Sequence, residues 1–159
     1  MNITVDLNGL TEGMQITAEK LLAGMTKGVT DGALQVERAA KENLKGDPRG
    51  KHLLSSIHSQ VTATGTTVEA QIGCGAATDI EGDAGENFGI YVHEGTGIYS
   101  RTGSGRQDVP WFYMAPDKDT GEERGHTTSG MQANPFLENA YNSEGQRVAQ
   151  LIADAIMGG

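Results

Sequence analysis

Cysteine is nearly absent from this chain, and basic residues and aromatics are scarce. Cys74 stands alone, so no disulfide can form within the chain and no CxxC pair exists to hold zinc. Lys and Arg number 12 against 21 Asp and Glu, a net charge of −9, which argues against a protein that grips phosphate with a basic surface. That balance fits a soluble acidic surface and remains compatible with an acidic ring through which DNA slides without sticking. No apolar run approaches the roughly 20 residues needed to span a membrane. The N-terminus lacks the basic and apolar stretches of a signal peptide, and a protein kept in the cytoplasm is expected. The hydrophobic fraction, 36%, is low for a self-sufficient globule, so a modest core is expected. The length fits one domain with a single core.

What the chain has in quantity is glycine, 23 residues, which implies long connections and tight turns. Residues 3–7 read as a short strand. Thr11 and Glu12 suit the start of a helix. From there to Lys45, Met14, Ala18, Leu21, Met25, Val29, Ala33, Val36, Ala40 and Leu44 recur every three or four residues and form one apolar face. Gly46 and Pro48 supply the stop. Gly24, Gly28 and Gly32 fall on one side of this helix. They either admit another backbone at close range or interrupt the helix near Gly28.

Ile57, Val61 and Ala63, then Val68, Ala70, Ile72 and Cys74, alternate with polar residues on either side of Thr64-Gly65-Thr66, which predicts an antiparallel hairpin. Cys74 falls on the apolar row, where a buried inert thiol is the expectation. Residues 75–89 are small, acidic and Gly-rich and read as a loop. Ile90 to His93 reads as a strand or a short helical turn. Residues 97–109 are loop-like. Trp111, Phe112 and Tyr113 open a strand that turns at Asp117–Gly121 and returns through Glu122 to Thr128. Asn134 suits a helix cap with Pro135 at the first helical position. The apolar face that follows is Leu137, Tyr141, Val148, Leu151, Ile152, Ala155 and Ile156, and Ser143 with Gln146 suggests a kink or restart near Gly145. The fold class is α+β: an antiparallel sheet with a long N-terminal helix and a C-terminal helix packed on one face.

His93-Glu94 is the pair most suggestive of catalysis. Neighbours in a strand point to opposite faces, no third group is spaced to orient a base, and there is no HExxH. His52, His58, His93 and His126 lack metal-ligand spacing. Gly103-Ser104-Gly105-Arg106 lacks the spacing of a phosphate loop, and no serine sits in a nucleophile elbow. The residues therefore favour no catalytic, cofactor or metal site. Trp111, Phe112 and Tyr113 suit either the chain's own core or a subunit interface, since either buries the rings.

Several segments together carry a resemblance. Phe88-Gly89-Ile90-Tyr91-Val92-His93-Glu94-Gly95-Thr96-Gly97 and Asn134-Pro135-Phe136-Leu137 resemble the YVHEGTG and PFL motifs of the HK97 gene-product-ten family of tailed phages. Gly50-Lys51-His52-Leu53-Leu54-Ser55-Ser56-Ile57 is similar to that family's TG-x-L-x-x-SI segment, with Arg49 where Thr is usual. Ile98-Tyr99, Gly105-Arg106 and Pro110 to Tyr113 resemble an insertion found in one branch. The resemblance implies a single neck or tail-completion domain over 1–159, with a hairpin insertion at 98–130. It implies a virion protein of the neck or upper tail, present in the host cytoplasm during assembly. Copies would form a ring, with hexameric symmetry expected, in contact with head-completion, tail-terminator or tail-tube proteins. DNA would pass without sequence-specific binding, and no membrane is involved. The interface is expected in the 98–130 insertion, led by Trp111 and Tyr113, and in the 75–89 segment. Gly95 and Gly97 would permit a sharp turn after a His93-Glu94 strand, and Pro135 and Phe136 would anchor the last helix on the first. The other readings are a tail terminator or minor tail protein, a small metal-dependent hydrolase using His93 and Glu94, and a prophage-borne binding module.

Overall fold

A computed structural model of the chain describes residues 1–6, 18–75, 82–117 and 120–158. Strand β1 (Asn2–Asp6) pairs antiparallel with β3 (Thr67–Cys74), which also pairs with β2 (Ile57–Thr64), giving the order β1-β3-β2. The register sets Ile3 and Val61 on either side of Ala70, and Val5 and Ala63 on either side of Val68. The alternating rows seen in sequence thus converge on one face of the sheet. Val68, Ala70 and Ile72 are buried there, with Ile3, Val5 and Val61 partly buried beside them.

Helix α1 (Ala18–Leu44) crosses this face. Leu21, Met25, Val29, Ala33, Val36, Ala40 and Leu44 are buried, at the spacing that predicted the helix. Ala18 is exposed and does not join the core, while Thr11, Glu12 and Met14 lie outside the described residues. Ser59, the polar member of the inward row of β2, donates a 2.7 Å hydrogen bond to Glu37 Oε2 and so ties sheet to helix.

Helix α3 (Phe136–Met157) runs antiparallel to α1, and the three glycines are the contact. A Cβ on Gly24 would lie 2.7 Å from the Ala155 carbonyl oxygen, one on Gly28 2.7 Å from Ile152 Cα, and one on Gly32 2.8 Å from Val148 Cγ1. No Cβ tolerates such distances, so close approach is the reading that holds. The helix is not interrupted, because packing against α3 outweighs roughly 1 kcal/mol per glycine of lost propensity. The sheet, α1 lying on it and α3 packed against α1 form the α+β core.

Several expectations give way here. Helix α2 (Gly82–Glu94) occupies most of the stretch read as the 75–89 loop, and it takes in Ile90–His93 and Glu94, so His93-Glu94 is helical and not a strand. Among the residues of α2 whose burial is described, Gly85, Gly89 and Val92 are buried, four and three apart. A Cβ on Gly89 would lie 2.9 Å from Cys74 Sγ. The absence of a side chain at Gly89 lets this helix settle against Cys74 at the end of β3. Residues 76–81 lie outside the described residues.

Helix α3 is continuous through Gly145 and does not restart there; Ser143 Oγ donates back to the Ala140 carbonyl at 3.0 Å instead of capping a new helix. Asn134 does not cap α3. Pro135 holds the cap position with no side-chain bond, and the Asn134 amide is drawn to Asp47. Phe136, Ala140 and Val148 are buried, Leu137, Ile152 and Ile156 partly so, and Tyr141 is exposed.

Strands β4 (Trp111–Pro116) and β5 (Glu123–Thr128) pair as a separate two-stranded ribbon around the Asp117–Gly121 turn, where the Gly121 N–H donates to the Asp117 carbonyl at 2.8 Å. The ribbon makes only marginal contact with the other strands and helices.

Candidate functional site

Residues Tyr91–Gly97 form the end of α2 and the turn that leaves it. The Gly95 N–H donates to the Tyr91 carbonyl at 2.9 Å, and Gly95 takes φ +75°, closing the helix with a left-handed residue. Gly97 follows at φ +61°, where a Cβ would run into the Ser129 carbonyl. The sharp turn expected at these two glycines is present, after a helix in place of a strand.

The turn is laced to the segment that precedes α3. The Thr96 N–H donates to the Met131 carbonyl at 2.9 Å, and the Met131 N–H returns to Thr96 O and Oγ1 at 3.3 and 2.9 Å. The Ile98 N–H donates to Ser129 O at 3.2 Å, and the Asn134 N–H to Val92 O at 2.7 Å. Two motifs some forty residues apart in sequence are therefore one unit. Val92 and Phe136 are fully buried within it, and the His93 ring stands edge-on to Phe136 with centroids 5.5 Å apart.

His93 Nδ1 lies 2.9 Å from Glu94 Oε1. Adjacent side chains do not share a helix face, so this contact comes from the flexible Glu94 side chain reaching across to the ring at the end of α2. The imidazole has a carboxylate on one side and a phenyl ring on the other. That arrangement fixes the ring, and it suits a packed joint between α2 and α3. The other histidines sit elsewhere: His52 edge-on to Phe88, His58 against the Ser56 carbonyl, and His126 stacked on Tyr113. Among the described residues no three metal-ligating side chains converge.

A second feature went unread in the sequence. Asp47, just past α1, accepts hydrogen bonds from Arg49 Nε at 2.7 Å and Asn134 Nδ2 at 3.0 Å. Arg49 Nη1 donates on to the Gln132 carbonyl at 2.6 Å, and Asn43 Nδ2 to the Phe136 carbonyl at 3.0 Å. The Arg49 guanidinium holds the Asp47 carboxyl well below the usual carboxylate range, overcoming the upward push of partial burial, and Asn134 adds to the effect. This polar clasp fastens the start of α3 to the end of α1. Asp47-Pro48-Arg49 looked like simple helix punctuation. The one available signal was an acid and a base two residues apart beside a proline.

The aromatic ribbon is not core. Trp111 is half-buried beneath the Arg106 guanidinium, 5.4 Å from its ring centroid, while Phe112 and Tyr113 are exposed. Between Trp111 and the end of α2 lies a hollow of about 440 Å³, lined by Ile90, Tyr91, Glu94, Thr96, Arg106 and Trp111 among others. Burial pushes the Cys74 thiol pKa up, with a partial offset from the Ser56 hydroxyl, as expected for an unreactive thiol. No helix among the described residues is long and apolar enough to cross a membrane. No protein-family model matches the chain, and neither a curated protein nor a solved structure matches it.

Proposed function

We propose that this chain is a structural protein of a long-tailed phage or prophage particle, acting at the head–tail joint as part of a symmetric ring. The observation that carries the reading is the lacing of Tyr91–Gly97 to 129–136, which makes the two resembling motifs a single architectural unit. Residues of an active site would be expected to present their polar atoms to a cleft. Here Val92 and Phe136 are interior, and His93 is spent on packing against Phe136 and on Glu94, so of the pair only Glu94 reaches the hollow. A ribbon that stands off the body with exposed aromatics suits a subunit whose neighbours complete its burial. In this reading His93 and Glu94 do no chemistry, Trp111, Phe112 and Tyr113 belong to subunit contacts, and head-completion, tail-terminator or tail-tube proteins lie above and below the ring.

The test is electron microscopy of a lysate from a phage carrying an early stop codon in this gene. Filled heads and separate tails, restored to whole particles by supplying the protein in trans, are the expected result. Normal infectious particles would overturn the reading.

A further inference from the structure

The ribbon has two faces, and strand alternation divides its apolar residues between them. Trp111 and Tyr113 share one face. Trp111 lines the hollow beside α2, and Tyr113 stacks on His126 with centroids 5.4 Å apart. Phe112 and Met114 share the other, where the Phe112 ring lies over Gly125 of β5. Phe112 is 66% exposed and Met114 52%. Across the hollow, Ile90 is 61% exposed and Tyr91 42%. The chain thus carries an apolar projection and an apolar hollow, and the projection cannot fill its own hollow. Trp111 of the same strand is the hollow's wall, and Phe112 points the opposite way.

We propose that copies of this chain join head to tail, the Phe112–Met114 face of one ribbon seated in the hollow beside Ile90 and Tyr91 of the next. The contact is heterologous, so each copy uses its projection once and its hollow once, and repetition closes a ring or extends a filament. Area favours repetition over a lone pair. About half of each of four side chains, at roughly 200 Å² for a large one, gives an apolar centre near 400 Å². A stable pairwise complex buries about 1,200–2,000 Å² in all. One such joint is weak, and two per subunit in a closed ring reinforce each other. The contact names the joint of the ring proposed above, and it rests on that reading only in requiring that copies associate.

The test is sedimentation velocity of the intact chain, with thermal melts to establish folding. Wild type should show concentration-dependent association. Phe112→Lys and Ile90→Lys should each weaken it at least tenfold, and Met114→Lys should act as Phe112→Lys does, without depending on the ring that covers Gly125. Tyr141→Lys, at an exposed aromatic that lines neither surface, should leave association unchanged. Folded Phe112→Lys and Ile90→Lys chains, when mixed, retain one intact projection and one intact hollow and should associate more than either does alone but far less than wild type, because only a single joint can form. A wild-type chain that stays monomeric up to about 1 mM, the weak limit for a specific contact, overturns the joint. So does a mixture that associates as strongly as wild type, or a Lys variant that associates as wild type does. None of these outcomes bears on the stop-codon particle assay, so the joint and the neck reading can fail separately.

Discussion

Replacing Gly28 by Ala tests whether the α1–α3 contact is set by the absence of side chains. In an exposed helix interior the exchange should stabilise by about 1 kcal/mol, because Ala loses less conformational freedom on folding. Gly145, in the middle of α3, provides that reference, since a Cβ there meets nothing within 4 Å. At Gly28 the same Cβ would lie 2.7 Å from Ile152 Cα and 3.2 Å from Ala155 Cβ. The nearer atom is backbone and cannot rotate away, so the helices must part by several tenths of an ångström along their packed length. Overpacking of this kind costs roughly 1–3 kcal/mol, enough to cancel the propensity gain and exceed it. Gly28→Ala should therefore be destabilising where Gly145→Ala is stabilising, a swing of about 2 kcal/mol. With a urea slope of roughly 2 kcal/mol/M, the two midpoints should differ by about 1 M. Equilibrium urea unfolding followed by far-UV circular dichroism reads this directly. A Gly28→Ala midpoint that rises as much as that of Gly145→Ala would refute the close-contact argument.

Other outcomes follow from the joint between α2 and α3. Phe136→Ala should cost roughly 3–5 kcal/mol in the same urea assay, because the ring is fully buried. Gly97→Ala should cost about 1–3 kcal/mol, since it forces a side chain into left-handed backbone and against Ser129; an unchanged midpoint would mean the turn can relax. Asp47→Asn should lose about 1–3 kcal/mol at pH 7 by weakening hydrogen bonds to a charged group. The folded-state pKa of Asp47 is depressed, so its contribution is full above the unfolded value near 3.8 and is lost as pH falls through the lower folded value. The gap between wild type and Asp47→Asn should accordingly narrow in urea melts below about pH 4, and a constant gap from pH 7 to pH 2 would exclude the carboxylate as its source.

Helix α1, the β2–β3 hairpin and the apolar row of β1 were legible because each buries one face, and burial prints its period on the sequence. Helix α2 was not legible. Its buried positions include Gly85 and Gly89, which carry no hydrophobic signal and count as breakers in isolation. The same ambiguity surrounded Gly24, Gly28 and Gly32. Their meaning depends on α3, more than a hundred residues away, and no local rule contains that partner. The Asn134 cap failed for a related reason: local geometry favoured the cap, but Asp47 offered a charged acceptor from elsewhere in the fold. Of the candidate site, the motifs were visible as strings. The lacing of Thr96 to Met131 and the hollow beside Trp111 are products of tertiary approach and left no periodic trace.

Thr96 and Met131 hold each other by bonds in both directions, and the segment between them is tied to the body again through Arg101, whose N–H donates to the Glu94 carbonyl at 2.9 Å and whose guanidinium donates to Glu138 of α3 at 2.7 Å. Past Arg101, the ribbon is an excursion on this tied stem, in marginal contact with the other strands and helices. Lengthening such an excursion costs the body little, since doubling a loop adds only about 0.6 kcal/mol of closure entropy. The tip of the ribbon can therefore be exchanged or rewritten with little consequence for α1, α3 and the sheet. Evolution can vary whom this protein meets while leaving almost untouched how it folds.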